Sequence, residues 1–263
     1  MGGDEFAVVM DIGAAARDAH MLAVELIEAA RKPFSVDGQP LDINFSIGIA
    51  VAPGDGHTPE QLLKNADLAL YSAKKERRGS YRFFESAMDK AMRERRRIER
   101  DLRVALEGGQ FELYFQPIIN MENEHPAKAE VLLRWCHPVR GMISPDEFIP
   151  VAEEIGLISE IGDWVLSEAV RLARDWPTVN GEAVCLSINK SPRQFAAQDC
   201  AERWIAALAE TGFDPQRTIF EITESTIIQD RHSVSEKLAR LRDAGIRIAI
   251  DDFGTGYSSL AYL

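Results

Sequence analysis

The sequence predicts an α/β protein in two parts, an α+β first part followed by a second part of repeating βα units. In the second part, from about residue 109 onward, five apolar runs that end in polar residues alternate with helical segments. In the first part, short apolar runs flank helical segments, and the Asp-Gly pair at positions 37 and 38 predicts a hairpin turn. A charged helical run separates the two parts, and 263 residues suit one large domain or two smaller ones.

The first part opens on MGGDEFAVVM, in which Gly2 and Gly3 predict a tight turn and residues 6–10 predict a buried strand. A turn that leads into a strand normally follows another strand. Either the chain begins on an unpaired hairpin arm, or it is a piece of something longer. The pattern then predicts helices over 14–32 and 59–75, and strands over 34–36, 42–50 and 81–84.

Residues 85–105 form a helical pattern that is rich in charge and poor in apolar positions. This pattern is typical of a solvated linker helix between two domains. A basic arm for nucleic acid is the alternative, and the interleaved Glu94, Glu99 and Asp101 weaken it.

The second part is predicted to contain strands over 111–119, 127–135, 183–190, 218–225 and 246–254, and helices over 145–154, 160–175, 201–210 and 233–243. Strands that alternate with helices imply βα units and a parallel sheet. The strands are almost continuously apolar, which fits a sheet that is buried on both faces.

The composition limits the classes of function. A net charge of −12 argues against nonspecific nucleic acid binding, because an acidic surface repels phosphates, and an anionic substrate would need a local cation. No apolar run approaches the length of a membrane span, and no signal peptide is visible. Three scattered cysteines, Cys136, Cys185 and Cys200, fit a reducing cytoplasm and are expected to be buried.

Four oxygen-bearing side chains fall within or at the end of predicted strands: Glu130, Asn189, Glu221 and Asp251. They are 59, 32 and 30 residues apart. One βα unit occupies roughly 30 residues, so we interpret the gaps as two units, one unit and one unit. In a barrel of such units all four would converge on the face at the carboxyl ends of the strands. Such hard oxygen donors suit Mg²⁺ or Mn²⁺, and without a cation the carboxylates would repel each other.

Other polar residues stand near the same strand ends. Asp252, beside Asp251, would serve a second metal as in two-metal phosphodiester cleavage, or would cap a helix or turn in DDFGTGYSS. Arg134 would hold a phosphate bidentately, or form a salt bridge at the rim. Gln116 would bind substrate or cap its strand. Glu224 would fix the glycine-rich loop after Asp252, or lie on the surface as a solvated acid.

These residues occur in motifs that resemble two known families. GGDEF at the start, with FSIGIAV and ADLALYSAK further on, resembles the diguanylate cyclase domains that carry the GGDEF signature. The second part resembles the EAL domain family of cyclic-di-GMP phosphodiesterases. Glu130-Val131-Leu132 stands at the name motif, with valine as a mild departure in the middle. The segments HPVRGMISPDEFIPVAEEIGLI, LSINKSPRQF, FEITES and IAIDDFGTGYSSL follow the same pattern.

The resemblance implies the C-terminal half of a cyclase-like α+β GGDEF domain over 1–84 and a linker helix over 85–105. An incomplete EAL-type TIM barrel would follow over 106–263. The ligands of Mg²⁺ or Mn²⁺, two ions in the complete domain, would be Glu130, Asn189, Glu221, Asp251 and Asp252. The catalytic set would be Glu130, Asp251, Asp252 and Glu224. Gln116 and Arg134 would contact the substrate, and Glu224 would hold the loop after Asp252.

The implied reaction is metal-assisted attack of water on one phosphodiester of cyclic-di-GMP, which gives linear pGpG in bacterial second-messenger signalling. A non-catalytic module that senses cyclic-di-GMP, with a regulatory GGDEF domain, is the alternative. The intact visible ligands favour the enzyme. A purely structural interaction domain would not explain why four oxygen-bearing side chains recur at the spacing of βα units.

In the first part, the remnant of a cyclase site would be Gly2, Gly3, Asp4, Glu5 and Lys74, of which Lys74 resembles a phosphate-contacting position. The family's elements before the GGDEF turn are missing, so we expect no cyclase activity from this chain. The sequence also stops just after the loop of its fifth strand. We therefore expect a piece of a longer GGDEF–EAL protein, cut at both ends, inactive and poorly soluble as it stands.

The expected partners of that longer protein are cyclic-di-GMP, GTP at its GGDEF domain and a second copy in a homodimer, but not nucleic acid. Its expected location is the cytoplasm, either free or attached to the membrane through upstream segments.

Overall fold

The computed structural model describes residues 5–11, 17–36, 39–179, 181–229 and 231–251. The chain divides into two units, Met1–Arg96 and Arg97–Leu263, each with its own helices and strands. No helix in the described ranges is long and apolar enough to cross a membrane.

The first unit contains helices and two short two-stranded sheets. Its elements are α1 (Arg17–Ala30), β1 (Phe34–Val36), β2 (Gln39–Leu41), β3 (Ile47–Ile49), α2 (Pro59–Glu76) and β4 (Tyr81–Phe83). The strands β1 and β2 pair antiparallel, which confirms the predicted hairpin, although its turn at 37 and 38 lies outside the described residues. The strands β3 and β4 pair parallel, and their sheet packs against helix α2.

Helix α2 begins where local chemistry predicts. The Thr58 hydroxyl accepts a hydrogen bond from the backbone N–H of Gln61 at 3.3 Å, and Pro59 occupies the first turn, where its missing N–H costs nothing. The helix approaches β3 closely at Gly48, where a Cβ would overlap the backbone oxygen of Ala66. Glycine is therefore required at this crossing.

Two strand predictions in the first unit were wrong. Residues 6–10 form no strand, and their side chains are open to solvent, with Phe6 92% and Val9 97% exposed. No strand among the described residues lies beside them, and a strand without a neighbour leaves its backbone groups unpaired. The strand expected over 42–50 is limited to β3, because only that segment finds a partner, in β4.

Helix α3 (Ser86–Ala105) covers the charged run, and the division between the two units falls within it. In the second unit its residues Ile98, Leu102 and Ala105 are buried in the core. The carboxylate of Asp101 lies 3.4 Å from Nε2 of His137, which ties the end of the helix to the second unit's sheet.

The second unit combines one large sheet with helices along its connections. Its elements are β5 (Phe111–Asn120), β6 (His125–His137), β7 (Gly141–Ile143), α4 (Pro145–Glu154), α5 (Ile158–Ala173), β8 (Cys185–Lys190), α6 (Pro192–Phe195), α7 (Cys200–Thr211), a 3-10 turn (Pro215–Arg217), β9 (Thr218–Thr223), α8 (Glu224–Gln229), α9 (Arg231–Asp243) and β10 (Arg247–Asp251). The order across the sheet is β10-β9-β8-β6-β5, with β7 also paired to β6.

The sheet is parallel from β6 through β8 and β9 to β10, as predicted, but its beginning departs from that expectation. Strands β5 and β6 pair antiparallel, because the four residues between them are too few for a crossover. Strand β8 pairs directly with β6, so the 59 residues from Glu130 to Asn189 hold one crossover with two helices. Our interpretation of that gap as two βα units was wrong.

The helices cover one face of this sheet, and the core lies between them and the strands. Ile188 of β8 and Phe220 of β9 point into this core, where the ring of Phe220 lies 5.3 Å from that of Trp204 on α7. We call this side the helix-covered face. Among the cysteines only Cys200 is fully buried, so the expectation for Cys136 and Cys185, which are partly exposed, was wrong.

The outermost strands of the sheet carry exposed apolar side chains. On β5, Tyr114 is 47% and Ile119 43% exposed, and on β10 Ile250 is 39% exposed. Within the described residues neither strand has a neighbour on its outer side.

Candidate active site

The parallel register places the predicted ligands on the second face of the sheet, opposite the helix-covered face. Glu130 of β6 pairs with Ser187 of β8, and Asn189 of β8 pairs with Glu221 of β9. Because alternate residues of a strand share a face, these four side chains stand on one side. Asp251 joins them, two residues after Ala249, which is the partner of Glu221. We call this side the site face.

Glu130 and Asn189 are in direct contact across the β6–β8 ladder. The amide Nδ2 of Asn189 donates a hydrogen bond of 3.0 Å to Oε1 of Glu130. Because the amide nitrogen of Asn189 is used in this hydrogen bond, its amide oxygen Oδ1 is the atom that can coordinate a cation. The sequence-predicted pair is thus brought together although 59 residues separate its members.

Glu221 is held by a residue that sequence reasoning missed. The hydroxyl of Ser187, itself 1% exposed, donates to Oε1 of Glu221 at 2.6 Å. Burial raises the pKa of the Glu221 carboxyl, and the charges of Glu130 and Asp251 raise it further. The Ser187 hydrogen bond and the positive charge of Lys128 act in the opposite direction.

The strand alternation contained a signal for both missed residues. Ser187 stands two positions before Asn189, and Lys128 two positions before Glu130, so each shares a face with a predicted ligand. Neither serine nor lysine is a preferred ligand of Mg²⁺ or Mn²⁺, so a pattern of oxygen ligands does not include them.

The described residues do not form one compact acidic cluster. No group of three or more His, Cys, Asp or Glu side chains among them lies close enough to hold a metal ion. The structure instead shows two bonded pairs, Glu130 with Asn189 and Ser187 with Glu221, while Asp251 ends β10 as an exposed residue. Asp252 lies outside the described residues. The available donors, carboxylate and amide oxygens on neighbouring strands, are of the kind that Mg²⁺ or Mn²⁺ binds.

The two residues predicted to contact substrate lie on the same side. Gln116 of β5 pairs with Glu130 and is exposed. Arg134 follows Glu130 by four residues, so both belong to the site face. Its guanidinium carbon lies 5.4 Å from the ring centroid of Tyr114, and its Nη1 donates to the Leu133 carbonyl at 2.9 Å.

The remaining predicted residues are separate from this group or undescribed. Glu224 is the first residue of α8, directly after β9, and the loop that it was predicted to hold lies outside the described residues. Of the cyclase remnant, Gly2, Gly3 and Asp4 lie outside the described residues as well. Glu5 is exposed, and Lys74 is exposed in the last turn of α2.

A buried lysine lies directly behind the site. Lys190 follows Asn189 but points to the helix-covered face, where it is 3% exposed. Its Nζ lies 4.4 Å from the ring centroid of Trp204 and 4.7 Å from that of Phe220, and no hydrogen-bond acceptor among the described residues reaches it. Burial lowers the pKa of Lys190 to about 7, and the charge of Asp163 opposes this.

Comparison with known protein families divides the chain in the same order as its motifs. The model of the EAL domain matches residues 99–263. The model of the diguanylate cyclase GGDEF domain matches residues 1–80.

Individual relatives match the whole chain. A signalling protein of Caulobacter vibrioides is 43% identical over all of this chain and 32% of its own length. The bifunctional diguanylate cyclase/cyclic di-GMP phosphodiesterase MucR of Pseudomonas aeruginosa is 41% identical over all of this chain and 38% of its own length. The chain thus spans about a third of the length of these curated relatives. A solved structure of the MucR phosphodiesterase in complex with c-di-GMP superposes with a TM-score of 0.58 at 41% identity, over 63% of this chain and 67% of that one.

Proposed function

Because the chain belongs to the EAL domain family and carries a GGDEF segment ahead of its EAL part, we propose that it acts in cyclic-di-GMP signalling as a metal-dependent phosphodiesterase. In the reaction a water oxygen bonds to phosphorus, and the bond from phosphorus to a ribose oxygen breaks. That oxygen takes up a proton, so that linear pGpG is released. MucR, which is named for this activity and solved with c-di-GMP, supports the choice of substrate.

The observation that carries the proposal is the hydrogen bond between Asn189 and Glu130 at 3.0 Å, with Glu221 in register beside Asn189. Three neighbouring strands thereby present oxygen donors on one face. Burial raises the pKa of Glu221, and the charges of Glu130 and Asp251 raise it further, so these carboxylates lie within electrostatic reach of one another. Such a face would repel an anionic phosphodiester unless a cation lies between them.

The proposed ligands of Mg²⁺ or Mn²⁺ are Glu130, Asn189, Glu221, Asp251 and Asp252. When bound, such an ion lowers the pKa of a water molecule and balances charge that develops on the phosphoryl oxygens. Carboxylates suit this role because they are hard, charged donors.

Two further residues of the site face, Gln116 and Arg134, are proposed to orient the substrate. Arg134 is proposed to bind a phosphate of the substrate, since its planar guanidinium matches two phosphate oxygens at once. Gln116, opposite Glu130, is proposed to donate a hydrogen bond to the substrate. Glu224 is proposed to hold the loop after Asp252, from its position at the start of α8.

The test uses the protein encoded by the complete gene, incubated with cyclic-di-GMP and Mg²⁺ or Mn²⁺, with linear pGpG followed by chromatography. Glu130→Ala removes one proposed ligand. Glu122→Ala, in the turn between β5 and β6, removes an exposed acid away from the site and is the matched control. We expect cleavage by the wild type and by Glu122→Ala, and its loss in Glu130→Ala. Binding without cleavage by the wild type would instead assign a sensor module.

For the complete protein we further propose GTP as the ligand of the GGDEF domain and a homodimer as the assembly. The description of the matched GGDEF model as a diguanylate cyclase domain supports the first. Isothermal titration with GTP and light scattering after gel filtration test the two proposals separately.

A further inference from the structure

Ser187 makes a short, buried hydrogen bond to a proposed metal ligand on the neighbouring strand. Its Oγ lies 2.6 Å from Oε1 of Glu221, in the middle of the sheet, where strands flank it on both sides. A hydrogen bond from a hydroxyl to a carboxylate at this distance belongs to the strong, charge-assisted class. We propose that Ser187 is a positioning residue, which holds the Glu221 carboxylate in the orientation that binds the metal ion.

The geometry explains why a hydroxyl at this position acts on Glu221. Ser187 pairs in register with Glu130 on one side and Ile219 on the other, so it stands one ladder step below Glu221 on the site face. From there its hydroxyl reaches the nearer carboxylate oxygen. A Glu side chain has three rotatable bonds, and a bond to one oxygen restricts the last two of them.

Burial makes this bond persistent. Ser187 is 1% exposed, so water does not compete readily for its proton. A serine hydroxyl has a single proton to donate, and its donation to Glu221 leaves none for another acceptor. Groups that bond to metal ligands in this way orient them, and their loss typically weakens metal binding by about 10- to 100-fold.

The neighbouring strand offers a matched control. Thr218 of β9 is also fully buried, and it pairs with Leu186, which places it on the helix-covered face. Its hydroxyl has no hydrogen-bond partner among the described residues. Thr218→Val therefore removes a buried hydroxyl of the same sheet without touching the site face.

The experiment measures Mn²⁺ binding directly, through the electron paramagnetic resonance signal of free aqueous Mn²⁺, on the protein of the complete gene. We expect Ser187→Ala to weaken Mn²⁺ binding by about 10-fold or more. We expect Thr218→Val to bind as the wild type does. Ser187→Cys keeps a side chain of similar size but donates weakly, so it should resemble Ser187→Ala. Thermal unfolding of each variant confirms that the fold is retained.

The inference rests on the proposed function, and Glu221→Gln separates the two. If Glu221→Gln weakens Mn²⁺ binding and Ser187→Ala does not, Glu221 is a ligand and Ser187 has no positioning role. Ser187 also has no positioning role if Ser187→Cys binds as tightly as the wild type, because side-chain volume would then account for the Ser187→Ala effect. If the wild type binds no Mn²⁺, the metal centre and this inference fall together. A defect of positioning also predicts that excess Mn²⁺ restores turnover in Ser187→Ala.

Discussion

Replacement of Lys190 by methionine should stabilise the protein at neutral and acidic pH. The Nζ of Lys190 lies over the rings of Trp204 and Phe220 on the helix-covered face and has no hydrogen-bond partner among the described residues. A charged ammonium in such a place loses its hydration without a compensating hydrogen bond. Methionine has similar length, fills the same space and carries no charge.

The size of the effect follows from the pKa of Lys190, which burial lowers from 10.5 to about 7. At 1.36 kcal/mol per pKa unit, this difference corresponds to about 5 kcal/mol. It is the penalty for keeping the lysine charged in the folded state, and it sets the ceiling for the stabilisation by Lys190→Met. The Asp163 carboxylate keeps two partners in Lys190→Met. It accepts a hydrogen bond from Trp204 and lies 3.4 Å from Arg203.

The sign of the pH dependence is determined by which state holds the proton. Between pH 7 and pH 10.5 the unfolded chain binds a proton at Lys190 that the folded chain has released, so stability rises with pH in this window. Below pH 7 both states hold the proton and the full penalty is present. The advantage of Lys190→Met should therefore be several kcal/mol at pH 6 and should shrink to under about 1 kcal/mol near pH 10.

The assay is urea unfolding followed by circular dichroism at pH 6, 8 and 10. Arg174→Met is the matched control, since it removes one positive charge from an exposed position of the same unit, where the ion pair with Asp175 contributes about 0–1 kcal/mol. Other titrating groups contribute equally to wild type and variant and cancel in the difference. The reasoning is refuted if Lys190→Met is less stable than the wild type at pH 6, or if its advantage stays constant up to pH 10.

Three further predictions concern the site and the first unit. Glu221→Gln should raise the free energy of unfolding at pH 7 in metal-free buffer, because burial raises the pKa of the Glu221 carboxyl. The raised pKa means that the folded state disfavours the ionised carboxylate. The gain in stability should therefore vanish as the pH falls below 4.5, and urea unfolding at pH 7 and below pH 4.5 checks this. Gly48→Ala should destabilise the first unit by about 3 kcal/mol, because its Cβ would overlap backbone of α2, and a midpoint equal to that of the wild type would contradict the close approach. Arg134→Lys should raise KM for cyclic-di-GMP about 10-fold with a smaller change in kcat, since lysine cannot bind two phosphate oxygens at once; steady-state kinetics separate the two constants.

Much of the fold could be predicted because its signals are local. The start of α2 is encoded by Thr58 and Pro59, whose effects extend over one helical turn. The prediction of a helix over 145–154 agrees with α4 (Pro145–Glu154), and apolar runs located the strands of the parallel sheet to within a few residues. These features depend on residues close together in the chain.

The errors arose where distant partners decide the outcome. Residues 6–10 have the composition of a strand but no neighbour among the described residues, so composition alone did not make them one. The direction of β5 relative to β6 depends on the length of their connection, which the apolar pattern does not encode. The gap from Glu130 to Asn189 suggested an additional parallel strand, whereas the structure fills it with the short antiparallel strand β7 and two helices.

Sequence alone was sufficient to identify the EAL family, through its motifs, and to propose Glu130, Asn189 and Glu221 at the strand ends as the residues of the site. The surroundings of these residues depend on the tertiary structure. Ser187 bonds to Glu221, which is 34 positions further along the chain. The ammonium of Lys190 is buried against the ring of Phe220, which is 30 positions further along. The physical reason is that burial and hydrogen bonding across a sheet depend on register between strands, and register is a property of the assembled sheet.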